Sequence, residues 1–193
     1  GFLDSPYAEF FELRTLYDRD WIGRDWPPRE LIDALERGVH IVNHVGHADV
    51  SNVMKLKNAD IDLLLGESYF LGYTQSCYAG AFDNQRTSGE YGSDSVVEHF
   101  LTGPSGAVAF IANSRRGWAG TGSPDGPSQR FNRLFWDAVF RLGVLQWGAA
   151  NDRSKEENFS YIVSNLRARW CAYELNTLGD PALTMKFASQ RGA

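Results

Sequence analysis

Gly106-Ala107-Val108-Ala109-Phe110-Ile111-Ala112 (residues 106–112) carries no charge and is too short for an ordinary helix. It reads as a buried strand, and the rest of the chain arranges itself around it. The stretch 39–45 (VHIVNHV) is short and β-branched, and 68–74 (SYFLGYT) is a second apolar run, so both read as strands. Pro27 and Pro28 open a helix over 30–37, and Gly38 suits its end. Asp94 stands near the start of a helix over 94–102. Ser128 is expected to cap a helix over 128–143, with Phe131, Leu134, Phe135, Ala138, Val139 and Leu142 at helical spacing. Further helices are predicted over 6–17 and from 154 to about 174, and a last strand over 182–187. The segment 114–127, with four glycines and two prolines, is a loop. Strand and helix in alternation predict an α/β fold with a mostly parallel sheet and helices on both faces.

The composition bounds the function. The 193 residues are 43% hydrophobic and 22% charged, which excludes a disordered or collagen-like chain. A net charge of -5 removes the bulk electrostatic basis for holding nucleic acid. No stretch approaches the roughly 18–20 apolar residues that span a bilayer. Six Trp, eight Tyr and twelve Phe suffice for a dense core and leave aromatics for a binding surface. Two cysteines, Cys77 and Cys171, exclude a disulfide scaffold and a four-cysteine zinc site. They leave open one disulfide or two thiols, one of them a nucleophile. Cys171, inside 169–173 (RWCAY), reads as core. A first residue Gly1 is expected of a processed product or excised piece, with any signal peptide already removed.

In a parallel sheet, ligands sit beyond the carboxyl ends of the strands. The first strand is followed by Val45-Gly46-His47-Ala48-Asp49 and the second by Thr74-Gln75-Ser76-Cys77-Tyr78-Ala79-Gly80. The third is followed by Asn113-Ser114-Arg115-Arg116-Gly117-Trp118. A lone strand-end cysteine is ordinarily a small buried residue, and a lone histidine beside glycine a turn residue. Together, at successive strand ends of one sheet, they point to a thiol nucleophile with an imidazole base. His44 is the rival base. It lies an odd number of residues from His47, so the two are expected on opposite sides of the strand. His40 and His99 read as structural or solvent-facing. Asn58-Ala59-Asp60-Ile61-Asp62 offers the oxygens of half a calcium loop, but reads better as a solvated turn. Gly120-Thr121-Gly122-Ser123 lacks the Gly-Lys-Ser/Thr of a phosphate loop. Arg115-Arg116 offers charge for an acidic substrate group, but reads better as a solvated loop edge or, in a self-processing chain, a cleavage site. Lys55 and Lys57 read as surface charge.

The ordered set resembles the clan CD cysteine peptidases, which include caspases, legumains, clostripains and gingipains, and is most similar to the gingipain family. Val42-Asn43-His44-Val45-Gly46-His47 resembles that family's histidine motif, and Tyr73-Thr74-Gln75-Ser76-Cys77 its nucleophile motif. Residues 106–113 followed by Trp118 resemble the strand and loop lining the primary specificity pocket, and Leu178-Gly179-Asp180-Pro181 a Gly-Asp-Pro motif near the domain's end. Asp125-Gly126-Pro127-Ser128-Gln129-Arg130-Phe131 resembles a stretch of secreted microbial relatives.

The resemblance implies a three-layer α/β/α caspase–haemoglobinase-like fold, with this chain as the nucleophile-bearing part of a larger catalytic domain. The division would be a helical and loop segment over 1–38, a catalytic region over 39–187 and a tail over 188–193. It implies a cysteine endopeptidase cleaving after Arg or Lys, with Cys77 as nucleophile and His47 as general acid and base. The backbone N–H groups of Cys77 and Ala48 would hold the oxyanion, and Gln75, Ser76, Asn113, Ser114 and Trp118 would line the substrate site. No cofactor is required for the chemistry, and structural calcium is an expectation of the family. Expected partners are a peptide or protein substrate and an upstream segment of the same precursor, with no nucleic acid and no membrane span. A secreted or envelope location and a zymogen form follow from the resemblance. Two departures stand out. Ala48 replaces the usual glycine after the histidine, and the family's acid that orients the histidine and its acid in the basic specificity pocket both come from further upstream, for which Asp18, Asp20, Asp25 and Glu30 are the candidates here. The competing reading is a non-catalytic or self-processing-only module of the same fold, serving binding or assembly.

Overall fold

The proline pair starts the first helix where the sequence places it. In the computed structural model, which describes residues 11–86 and 88–187, helix α1 runs over Pro28–Arg37. Gly38, at φ +93°, ends it in a conformation that side chains resist. Strand β1 (Ile41–His44) follows, then a small meander of β2 (Ala48–Asp49), β3 (Asn52–Val53) and β4 (Leu56–Lys57) leading into α2 (Asn58–Ile61). Next come β5 (Phe70–Thr74), α3 (Val96–Thr102) and β6 (Ala107–Asn113). Helices α4 (Pro127–Phe140), α5 (Trp147–Glu157), α6 (Phe159–Ser164) and α7 (Leu166–Glu174) precede the last strand, β7 (Leu175–Gly179). These elements fall into two compact units, one over 14–117 with 174–179, the other over 118–173 with the described residues 11–13 and 180–187.

The first unit holds the main sheet, in the order β1-β5-β6-β7. β1, β5 and β6 are parallel, and β7 pairs antiparallel to β6. The fold is therefore α/β with a mostly parallel sheet, as the alternation predicts. Phe110 of β6 enters a core shared with Leu31 and Leu35 of α1, Ile61 of α2, and Val96, Val97 and Phe100 of α3. The alternate residues Ala109 and Ile111 are fully buried too, so β6 is buried on both faces from Ala109 onward, while Val108 near its start is 45% exposed. The rings of Phe70, Phe100 and Phe110 stand 5.5–6.2 Å apart. Gly72 of β5 lets the Phe110 ring lie on the strand backbone, because a Cβ there would overlap the ring. Ser95 caps α3, its Oγ and N–H both donating to Glu98 at 2.7 and 2.8 Å.

Lys55 is no surface charge. Met54 and Lys55, both at positive φ, form the two-residue turn between β3 and β4. The Lys55 ammonium then donates to Asp18 at 2.6 Å, to Asp25 and to the Trp26 carbonyl at 3.0 Å, and lies 4.3 Å from the Trp26 ring centre. It thereby holds the segment before α1.

In the second unit, Phe135 and Trp147 meet edge-on at 4.9 Å, and Trp136 stacks on Phe140 at 5.6 Å. Trp147 is fully buried. Arg130 bonds Asp125 at 3.0 Å and covers the Tyr161 ring. Cys171 is 1% exposed, its sulfur 3.4 Å from Ser128 Oγ, so it is a core residue as expected. Both cysteines are free thiols.

Four expectations are corrected. Of the helix over 6–17, residues 6–10 lie outside the described residues, and 11–17 form no helix. Ser128 does not cap α4; Gly126 does, and Ser128 Oγ accepts the Trp118 N–H at 2.9 Å. The single helix over 154–174 is three helices, broken at Asn158 and Asn165. Asn165 Oδ1 accepts from the N–H groups of Arg167 and Ala168, which starts a new helix. The last strand lies at Leu175–Gly179 rather than 182–187. Pro181, which has no N–H for a ladder, follows two residues after it, and among the described residues the later segment forms one bridge, Thr184 to Gln146.

Candidate active site

Strand pairing sets the geometry of the candidate dyad. His44 of β1 stands opposite Thr74 of β5 in parallel register. His47 follows the first by three residues, and Cys77 follows the second by three. The two turns are then tied together, because the buried Ser76 hydroxyl donates to the Gly46 carbonyl at 2.9 Å. Ser76 directly precedes Cys77, and Gly46 directly precedes His47. Adjacent Cα atoms lie ~3.8 Å apart, so this bond brings the two backbones to neighbouring positions.

The turn carrying Cys77 is pinned from below. Tyr78 N–H donates to the Arg115 carbonyl at 2.9 Å and Gly80 N–H to the Asn113 carbonyl at 3.0 Å. Asn113 Nδ2 donates to the Gln75 carbonyl at 2.9 Å. Tyr78 sits at φ +57°, a strained conformation for a residue with a side chain, held by these bonds. Cys77 itself is partly exposed, its sulfur 3.8 Å from the Gly117 carbonyl. Its N–H makes no hydrogen bond among the described residues. Ala48 stands in β2, opposite Val53. His47 is exposed.

The expected substrate-site residues divide. Gln75, Ser76 and Asn113 are 6%, 2% and 1% exposed, so their side chains support the turn from within the protein. Ser114 is partly buried and bonds the Glu174 carbonyl through its N–H at 2.8 Å. Trp118 belongs to the second unit, where the Arg167 guanidinium lies 4.5 Å over its ring.

The upstream acids are engaged elsewhere. Asp18 and Asp25 hold Lys55, Glu30 pairs with Arg14 at 2.6 Å, and Asp20 lies 3.6 Å from Arg19. Asp60 and Asp62 each have a partner within the protein. Asp60 accepts the Lys57 N–H at 2.8 Å, and Asp62 pairs with His99 at 2.6 Å. Among the described residues, no group of three or more His, Cys, Asp or Glu is placed to hold a metal. Arg115 is no free loop edge. It forms a two-pronged pair with Asp83 and donates to Gln85 Oε1 at 3.1 Å.

The sequence reading missed the polar cluster around His44. The imidazole Nδ1 lies 2.9 Å from Thr74 Oγ1 and 3.1 Å from Ser76 Oγ. Burial, with repulsion from nearby His47, lowers its pKa to about 4. The expected placement of His44 and His47 on opposite sides assumes a strand that reaches His47. β1 ends at His44, and strand alternation does not extend into the turn beyond it. The legible signal was a threonine and a serine two residues apart, opposite a strand-end histidine.

This cluster predicts a pH dependence. An unfolded histidine takes its proton near 6.5, whereas folded His44 waits until about 4. Between these values the unfolded chain binds more protons, so stability falls as the pH drops, by roughly 3 kcal/mol in the limit. Urea titrations between pH 7 and 4 should show this loss, and His44→Gln should remove most of it.

A model of peptidase family C25 matches residues 6–186. A solved complex of the pro- and mature domains of RgpB from Porphyromonas gingivalis is 15% identical, covering 82% of this chain and 37% of that one, with a TM-score of 0.62. A second solved structure, of a protease, is 16% identical, covering 83% of this chain and 38% of the other, with a TM-score of 0.53. These likenesses show the fold. The chain spans little more than a third of the length of these solved structures. No curated protein matches. No helix among the described residues is long and apolar enough to cross a membrane.

Proposed function

Since the chain belongs to peptidase family C25, we propose that it is a cysteine endopeptidase in which Cys77 is the nucleophile and His47 the general acid and base. The observation that carries this reading is the Ser76–Gly46 hydrogen bond, which ties the residue before Cys77 to the residue before His47.

In this reading His47 accepts the thiol proton, and the Cys77 sulfur attacks the scissile carbonyl carbon. The N–H groups of Cys77 and Ala48 bind the oxyanion. The free Cys77 N–H supports this role, since no protein acceptor among the described residues competes for it. His47 then gives its proton to the leaving amine, and a thioester remains on Cys77. Water, deprotonated by His47, hydrolyses the thioester and frees the thiol.

The preferred residue before the cut is arginine or lysine, on family grounds. The same grounds support a secreted or envelope-associated enzyme. The zymogen form draws support from the RgpB neighbour, which is itself a complex of pro- and mature domains.

The test is an acyloxymethyl ketone peptide with arginine at its reactive end, applied to the folded protein, with the label located by mass spectrometry. Labelling is expected at Cys77 and not at Cys171, and is expected to disappear in His47→Ala. Equal labelling of both thiols, or labelling of Cys77 that His47→Ala leaves unchanged, contradicts the dyad.

A further inference from the structure

We propose that Ser76 is a positioning residue, joining the turn that bears Cys77 to the turn that bears His47, and that Thr74 and His44 complete the junction. The proposal rests on the dyad reading above and adds to it residues that touch neither substrate nor reacting atoms.

The side chains of Thr74, Ser76 and His44 share the hydrogen bonds of this junction. The Ser76 hydroxyl donates to the Gly46 carbonyl at 2.9 Å. The Thr74 hydroxyl donates to Ser76 Oγ at 3.0 Å. Ser76 N–H donates back to Thr74 Oγ1 at 3.2 Å. His44 Nδ1 lies 2.9 Å from Thr74 Oγ1 and 3.1 Å from Ser76 Oγ, within hydrogen-bond distance of both hydroxyls. The ring lies against the turn it helps to hold, because a Cβ on Gly46 would stand 2.5 Å from His44 Nε2. Thr74 and Ser76 are 0% and 2% exposed, so water does not replace these bonds readily. The junction unites three segments: the end of β1, the end of β5 and the turn before His47.

The function follows from precision. A thiol and an imidazole must meet at hydrogen-bond distance for the proton to move, and a misplacement of ~1 Å costs on the order of a hundredfold in rate. Both candidate residues sit in turns, which have more freedom than strands. The Ser76–Gly46 bond removes that freedom one residue before each of them.

The experiment measures iodoacetamide alkylation of Cys77 and Cys171 in the folded protein, by mass spectrometry, for wild type, Ser76→Ala, His47→Ala and the double variant. Ser76→Ala is expected to slow Cys77 at least tenfold in the wild-type background. It should change the rate less than twofold when His47 is already alanine, because its effect runs through the alignment of the pair. A merely structural role would give equal losses in both backgrounds, and that result overturns the proposal. So does a Ser76→Ala rate within twofold of wild type. A Cys77 rate no faster than that of Cys171 and indifferent to His47→Ala overturns the dyad and the proposal together.

Thermal melts check that each variant folds. Should Ser76→Ala fail to fold, Thr74→Val removes the donor to Ser76 Oγ and the acceptor of its N–H, and must slow Cys77 in the same His47-dependent way.

Discussion

Replacing Cys77 with alanine is expected to lower kcat/KM for an arginine-containing peptide by on the order of 10⁴-fold or more, the usual scale for losing a covalent nucleophile. The fold should survive. Cys77 is partly exposed in a turn, and its sulfur makes only a weak contact, 3.8 Å from the Gly117 carbonyl. The backbone bonds that hold the turn, from Tyr78 and Gly80, do not involve its side chain. The melting transition should therefore stay close to wild type, within about 1 kcal/mol of stability. The loss should fall on kcat rather than KM, because the thiol forms its bond only as the reaction proceeds. Turnover that persists in the Cys77→Ala protein would refute the assignment, and an inactive but unfolded variant would refute the account of the turn.

The second large effect lies in the core. Phe110→Ala is expected to destabilise the protein by about 3–5 kcal/mol, the range for deleting a buried ring. Phe110 is fully buried, and its ring meets those of Phe70 and Phe100. Beneath it lies Gly72, which has no side chain to move into the space. The cavity therefore cannot collapse from that side, which puts the cost toward the upper end. Gly72→Ala alone should also destabilise, by about 1–3 kcal/mol, through overlap with the same ring. Because both changes concern one contact, they should not add. With Phe110 already alanine, the methyl group at Gly72 enters the vacated space and should be neutral or favourable. Urea unfolding of the four proteins checks this, and simple additivity would mean that the ring does not rest on Gly72.

Much of this was legible in the sequence because the information is local. The runs at 39–45, 68–74 and 106–112 are apolar enough to be strands wherever they land, and they became β1, β5 and β6. The rule that ligands gather beyond strand ends then drew attention to Gly46-His47 and Ser76-Cys77. Local signals also misled where a side chain competed with the helix. Asn158 and Asn165 break a stretch that helical spacing alone makes continuous. The meander of β2, β3 and β4 had no signal either, since two-residue strands carry no period to read.

Non-local bonds decided the rest. β7 is a weak strand by composition, and it forms because β6 offers an unpaired edge for Leu175–Gly179. Lys55 looks like solvated charge until the chain brings Asp18, Asp25 and Trp26 around it. Ser76 reads as a cleft residue until Gly46, thirty residues away, supplies its acceptor. The sequence by itself determined the fold class and the two residues on which the chemistry is proposed to rest, because apolar patterning and strand ends are properties of short stretches. Only the tertiary structure decided what aligns those residues. A hydrogen bond between segments distant in the chain has no trace in the spacing of either one, and exists once the parallel register of β1 and β5 sets their ends side by side.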